Sequence, residues 1–225
     1  KKQNLDPDSY QNFAKCIGQP VVYPRLKGLD EKFPFINVIE RKPDDKNLSF
    51  GSSWLHQDTS YLSDDRPRYT MLMGIEIPNG QGNTIFSSGF NAYKKLPDEV
   101  KHKIKNATGI FSSAGPIAVT RLEREKEMGI KSSDSMEAEH PIVKMVNGKK
   151  TLYVSPGHLM EIKNVDKKDA AYLKKYLIDH VNKKEFIFSY EWSKGDICLW
   201  DNLSILHMAS EIKNCRRVMH RITMK

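Results

Sequence analysis

Cysteine is scarce in this 225-residue chain: Cys16, Cys198 and Cys215 are the only three, and no Cys-x-x-Cys occurs. An odd count without paired spacing excludes a disulfide framework and a thiolate zinc site, and points to a reducing, cytoplasmic setting. No apolar run approaches the roughly 20 residues that cross a bilayer, so no membrane partner is expected. The opening residues, Lys1-Lys2-Gln3-Asn4-Leu5-Asp6, carry no apolar stretch of signal-peptide type. Internal repeats and low-complexity segments are missing as well. Acidic residues are the minority, 28 against 36 Lys and Arg, for a net charge of +8. The excess does not gather into a basic groove. Lys101, Lys103, Lys105, Lys167, Lys168, Lys174, Lys175, Lys183 and Lys184 fall on helical patterns interleaved with acids, which reads as a solvated face. No nucleic-acid partner is expected from that pattern. A scattered positive surface does suit the steering of a small anion.

What remains is an ordinary globular balance, 39% hydrophobic and 28% charged, and enough chain for one core-bearing domain over residues 1–225. Asp6-Pro7, followed by Tyr10, Phe13, Ala14 and Ile17 and then Gly18, predicts a capped amphipathic helix. Strands are predicted over 33–39, 68–77, 84–86, 108–112, 185–192, 197–200 and 216–224. Asn147-Gly148 joins two alternating runs, the strongest short hairpin signal. Short helical patterns occupy 90–96 and 98–104. A longer one over 166–181 places Ala170, Leu173, Leu177, Ile178 and Val181 on one face. Many strands joined by turns, with a few inserted helices, predict a mainly β sandwich or barrel. Residues 121–139 are dense in charge and poor in large apolar side chains, and read as a mobile loop or lid, or else a plain surface insertion.

The chemistry concentrates in Trp54-Leu55-His56-Gln57-Asp58. In an extended chain, residues two apart share a face, so His56 and Asp58 can hold one metal ion together. A third ligand has to come from far along the chain, and His207 is the candidate. Two His and one carboxylate on one side of a metal form the facial triad of non-haem Fe(II) oxygenases. In the last strand, Arg217, Met219, Arg221 and Thr223 share one face, and the two guanidiniums can each hold a separate anion. Set against this are a solvated His beside an Asp, a zinc site on the same three residues, and a β-sandwich binding module without oxygenase activity. His102 and His180 are expected at the surface, His140 at a strand edge, and His220 away from the metal.

The ordered set Trp54-Leu55-His56-Gln57-Asp58, Gly82-Asn83-Thr84-Ile85-Phe86, Gly195-Asp196 with Trp200-Asp201-Asn202, His207-Met208-Ala209 and Arg216-Arg217-Val218-Met219-His220-Arg221 resembles the TauD/TfdA family of Fe(II)- and 2-oxoglutarate-dependent dioxygenases. The resemblance implies a double-stranded β-helix (jelly-roll) core preceded by further N-terminal strands. It implies His56, Asp58 and His207 as iron ligands, and Arg217 and Thr84 as the clamp on the distal carboxylate of 2-oxoglutarate. Coordination positions are left for 2-oxoglutarate and O2. Arg221, Tyr23, His158 and Ser52 are implied at the primary substrate, expected to be a small anionic organic molecule. The sequence departs from taurine enzymes at Pro20, where they carry a substrate-binding His, and at Ser52, where they carry Asn. Leu203 stands where the family commonly has Arg. A homodimer or homotetramer is the family expectation.

Overall fold

The computed structural model describes residues 1–23, 28–46, 51–63, 66–118 and 135–225. Its centre is an antiparallel sheet built on the last strand. Strands β1 (Pro20–Val21) and β2 (Asn37–Arg41) both pair with β13 (Arg217–Met224). β13 pairs in turn with β3 (Tyr69–Glu76), and β3 with β11 (Ile197–Asp201). A second antiparallel sheet has the order β10 (Ile187–Tyr190), β4 (Thr84–Ser88), β12 (Ile205–Ala209). Leu72, Trp192, Trp200 and Met219 are buried between the two sheets, with Phe86, Tyr190 and Ile205 packed against them. Two facing antiparallel sheets around an inner cluster make the jelly-roll core that the alternating strands and the resemblance both imply.

Helix α1 (Pro7–Ile17) covers the outer face of the first sheet. The Asp6 carboxylate accepts from the Ser9 amide at 2.7 Å, and proline occupies the first helical turn. Tyr10 and Ala14 pack onto Met71, Met73, Ile222 and Met224. Phe13 is on the solvent side and half exposed, so the apolar stripe is narrower than its spacing predicts. α2 (Gly89–Lys94), α3 (Asp98–Lys103), β5 (Thr108–Ser112) with β6 (Glu137–Pro141) and β9 (Leu159–Lys163), the hairpin β7 (Val143–Val146) and β8 (Lys149–Leu152), and α4 (Lys167–Val181) enclose a second core around Phe111, Ile142, Leu159, Leu173 and Leu177.

Several expectations shift. The strand predicted at 33–39 lies at Asn37–Arg41, because Phe33 is taken into a turn in which its amide reaches the Asp30 side chain at 3.0 Å. β11 is an edge strand and leaves Leu199 half exposed. His180 is buried rather than at the surface, and its Nε2–H donates to the Ala92 carbonyl at 2.9 Å. His140 lies on the edge strand β6, as expected, with its ring buried, donating to the Leu62 carbonyl and packed against Phe111 and Tyr153. Of the segment 121–139, residues 121–134 lie outside the described residues, and Glu137 to Glu139 belong to β6. No helix among the described residues is long and apolar enough to cross a membrane.

Candidate active site

The local chain at His56 is not a strand. It is a single antiparallel bridge to β12, in which the His56 amide donates to the His207 carbonyl at 2.9 Å and the His207 amide to the His56 carbonyl at 2.8 Å. That bridge sets the two imidazoles side by side, ring centroids 4.4 Å apart. Asp58, at the start of the following turn, reaches both: Oδ1 is 3.8 Å from His56 Nε2 and Oδ2 is 3.7 Å from His207 Nε2. One ligand atom from each of the three residues lies within 4.8 Å of the others, and all three side chains are buried. His56 Nδ1 is 3.0 Å from the Trp54 carbonyl, which can only accept. Nδ1 therefore holds the proton, and the Nε2 lone pair points at the shared centre, the usual arrangement of a metal-ligating histidine.

The electrostatics suit a divalent cation. Burial lowers both imidazoles, His207 to about 3, so both present neutral donor nitrogens at neutral pH. Burial alone pushes Asp58 up. His207, Arg221 and His56, the two imidazoles being charged only in the acid range where the carboxylate titrates, together with the Thr70 hydroxyl outweigh it and hold the carboxylate below its usual range. Two neutral nitrogens and one anionic oxygen converging from one side are a facial donor set.

Arg217 and Arg221 are both buried on one face of β13, as the alternation predicts. They do different things. Arg217 Nε and Nη2 have no hydrogen-bond partner among the described residues. Burial brings its guanidinium down to about 10, with no carboxylate opposing it among the described residues. Gly82, at φ +76°, runs its backbone along the arginine stem: a Cβ there would lie 2.8 Å from Arg217 Cδ. Two residues on, buried Thr84 accepts from Trp192 Nε1–H at 2.9 Å, which leaves the hydroxyl proton of Thr84 free to donate. A buried cation with no anion beside it among the described residues is costly, and with the Thr84 hydroxyl it could hold a carboxylate.

Arg221 Nη1 is 3.6 Å from Asp58 Oδ1, and its guanidinium lies over the Tyr23 ring at 4.3 Å. The Tyr23 and Tyr61 hydroxyls are 3.1 Å apart. Tyr61 meets the His158 ring edge-on at 5.1 Å, and His158 meets His56 in the same way at 5.8 Å. His158 Nδ1 is held by Ser60 Oγ (2.8 Å) and Ser155 Oγ (3.2 Å), so this ring braces the His56 wall. Ser52 is buried, bridged to Ala209, and its Oγ has no partner among the described residues.

Four neighbours escaped the sequence reading. Thr59, directly after Asp58, is a β-branched residue at φ +52°, a strain of order 1–3 kcal/mol that collects at functional sites. Nothing in the sequence signals it. Tyr61 and Trp192 sit among other aromatics without a distinguishing pattern. Thr70 did leave a signal, a hydroxyl on a core-facing position of an otherwise apolar strand.

Comparison with known proteins agrees with this geometry. The sequence model of the family described as "Taurine catabolism dioxygenase TauD, TfdA family" matches residues 1–223. An alkylsulfatase of Acinetobacter baylyi is 29% identical over 234 residues, covering 99% of this chain and 70% of the relative. An alpha-ketoglutarate-dependent sulfate ester dioxygenase of Pseudomonas putida is 26% identical, covering 98% of this chain and 73% of its own. The crystal structure of a taurine dioxygenase from Burkholderia xenovorans superposes with a TM-score of 0.78 over all of this chain and 74% of that one, at 23% identity, a likeness of fold. With the whole chain matched and the donor set assembled, the protein belongs to the TauD/TfdA family of dioxygenases.

Proposed function

We propose that His56, Asp58 and His207 hold Fe(II), that Arg217 and Thr84 clamp the distal carboxylate of 2-oxoglutarate, and that Arg221 and Tyr23 face a small anionic organic substrate. The chain is a 2-oxoglutarate-dependent dioxygenase, an oxidoreductase that uses Fe(II), 2-oxoglutarate and O2. The observation that carries the assignment of roles is the pairing of a buried three-donor centre with a buried Arg217 whose Nε and Nη2 have no partner among the described residues. A zinc hydrolase has no use for the second feature. When bound, the iron supplies the oxidising power: one oxygen atom of O2 goes to the substrate carbon, the other to succinate, and CO2 leaves.

The chain's own residues bind and orient. The Arg217 guanidinium and the Thr84 hydroxyl fix the far end of 2-oxoglutarate, and so direct its 2-oxo end towards the triad. Tyr23, Tyr61 and His158 wall the substrate side with aromatic surface. Arg221 offers positive charge beside Asp58 to a sulfate, sulfonate or carboxylate. The two relatives named for sulfate ester chemistry make an alkyl sulfate the first substrate to try. Hydroxylating the carbon that bears the sulfate oxygen creates a species that expels sulfate and leaves an aldehyde, so cleavage follows from hydroxylation. The same reading places the enzyme in a reducing cytoplasm, where its three cysteines stay free, and as a homodimer or homotetramer, which sedimentation decides.

The test is anaerobic addition of Fe(II) and 2-oxoglutarate, watching for the weak visible charge-transfer band of the chelate. Succinate release is then measured across alkyl sulfates, sulfonates and aryloxyacetates. A band that Arg217→Ala weakens supports the reading. Metal uptake with no band rejects it.

A further inference from the structure

Asp58 has two carboxylate oxygens, and a chain of buried hydrogen bonds decides what one of them does. Thr70 Oγ1 is 2.7 Å from Asp58 Oδ2, Asn202 Nδ2 is 2.8 Å from Thr70 Oγ1, and Trp200 Nε1 is 3.1 Å from Asn202 Oδ1. The Asp58 amide also approaches Asn202 Oδ1, at 3.3 Å. Thr70 and Asn202 are wholly buried and Trp200 nearly so. The polarity of the chain is forced. An indole N–H and a backbone amide can only donate, so the Asn202 atom facing both is the oxygen. Its NH2 group is therefore turned to Thr70 and donates to that hydroxyl. With its lone pair so used, Thr70 directs its own proton at Asp58 Oδ2. The residues come from β3, the end of β11 and the loop holding His56, so the chain ties the metal loop to the sheet opposite His207.

We infer that Thr70, aimed by Asn202 and Trp200, is a positioning residue that keeps one Asp58 oxygen occupied and leaves the other as a single ligand atom. The inference rests on the metal-triad reading above. Without the Thr70 proton the carboxylate is free to turn away from the shared centre, and metal binding then has to order it. Thr70 touches neither cosubstrate nor substrate in this scheme; it acts through Asp58. Groups in this position typically contribute about 10–100-fold to metal affinity.

The experiment is anaerobic titration of the metal-free protein with Co(II), followed by its visible absorption, alongside the melting temperature of the metal-free form. Thr70→Val keeps the shape and removes the hydroxyl, and is expected to weaken Co(II) binding about 10–100-fold. Thr70→Ser restores the donor and is expected to bind within about threefold of the parent. Trp200→Phe leaves an aromatic ring but frees the Asn202 amide to flip, and is expected to weaken Co(II) at least about threefold. A purely structural role would lower the melting temperature of the valine variant and leave its affinity unchanged, and that result overturns the inference. Should Thr70→Val not fold, parent-like affinity in Trp200→Phe overturns it instead. A parent protein that takes up no Co(II) rejects the triad reading itself.

Discussion

Arg221 Nη1 lies 3.6 Å from Asp58 Oδ1, and both side chains are buried. A residue placed by the sequence at the substrate is thus also a counter-charge for the metal carboxylate. In the proposed reading one guanidinium answers to two anions, Asp58 and the substrate, while its flat face is fixed over Tyr23. Arg217, four residues earlier on the same strand, answers to neither.

Arg221→Met separates those two duties. Removing one partner of a buried pair costs up to about 3–5 kcal/mol, and less where the remaining charge is otherwise satisfied. Asp58 keeps the Thr70 hydrogen bond, so the metal-free variant is expected to melt several degrees lower. A cation beside Asp58 also competes with the metal for it. Co(II) affinity of the variant is therefore expected to hold or rise while the KM for the anionic substrate increases about tenfold or more. Calorimetry of metal-free and Co(II)-loaded protein checks this. Unchanged melting of the metal-free form would show that Arg221 does not neutralise Asp58.

Arg217→Met should have the opposite profile. The guanidinium is buried with no hydrogen-bond partner for Nε and Nη2 among the described residues, so its charge costs stability that, in the proposed clamp, 2-oxoglutarate recovers. Methionine retains the stem that Gly82 packs on. The metal-free variant is expected to melt no lower than the parent. The KM for 2-oxoglutarate is expected to rise about 100-fold, the loss of one or two charge-assisted bonds at roughly 1.5–3 kcal/mol each. Co(II) affinity should not move. Melting scans, and succinate release against 2-oxoglutarate concentration, read both effects. A KM within about threefold of the parent, for so large a change in charge, would remove Arg217 from the clamp.

These contrasts show where the sequence spoke and where it was silent. The strands β3, β4, β13 and the Asn147-Gly148 hairpin follow from alternation and turn chemistry, which are local. His56 and Asp58 are two apart, so their joint role is local as well, although a single bridge to His207 rather than an extended strand brings it about. The strands β6, β9 and β12 were not read, because Glu137 to Pro141 and Leu159 to Lys163 alternate weakly and take their form from pairing with β5. His180 is expected at the surface because its neighbours in sequence are charged; its burial is set by what packs from elsewhere, Ala92 and Phe186. The Arg221–Asp58 contact joins residues 163 positions apart and has no sequence signature.

Gly82→Ala tests the cradle from the other side. At φ +76° a side chain is strained, by roughly 1–2 kcal/mol. Its Cβ would also lie 2.8 Å from Arg217 Cδ and 2.9 Å from Nε, pushing the guanidinium aside. Gly80 provides the control: φ is +67°, and nothing lies within 4 Å of an added Cβ. Both alanine variants should lose similar stability. Gly82→Ala alone should raise the KM for 2-oxoglutarate. Equal KM values in the two variants would mean that the Arg217 position is not held by Gly82.

Acid should destabilise the metal-free protein through its buried histidines. Burial lowers His140 to about 4 and His158 and His207 to about 3; Lys144 and Arg66 add to it at His140, and His56 at the other two. In the unfolded chain each titrates near 6.5. Below that pH the unfolded state binds protons that the native state refuses, so stability is full above about 6.5 and falls as pH drops towards 4 and then 3. Each histidine so lowered adds up to one proton to the difference between the two states, His56, His180 and His220 included, since burial lowers them too, and the slope of stability against pH counts them. His140 lies away from the metal ligands and isolates one. His140→Gln keeps a donor for the Leu62 carbonyl but cannot be protonated. It should flatten the slope between pH 6 and pH 4.5 by about one proton, measured by urea unfolding at a series of pH values. A slope unchanged by the substitution would mean that His140 takes up its proton equally in both states.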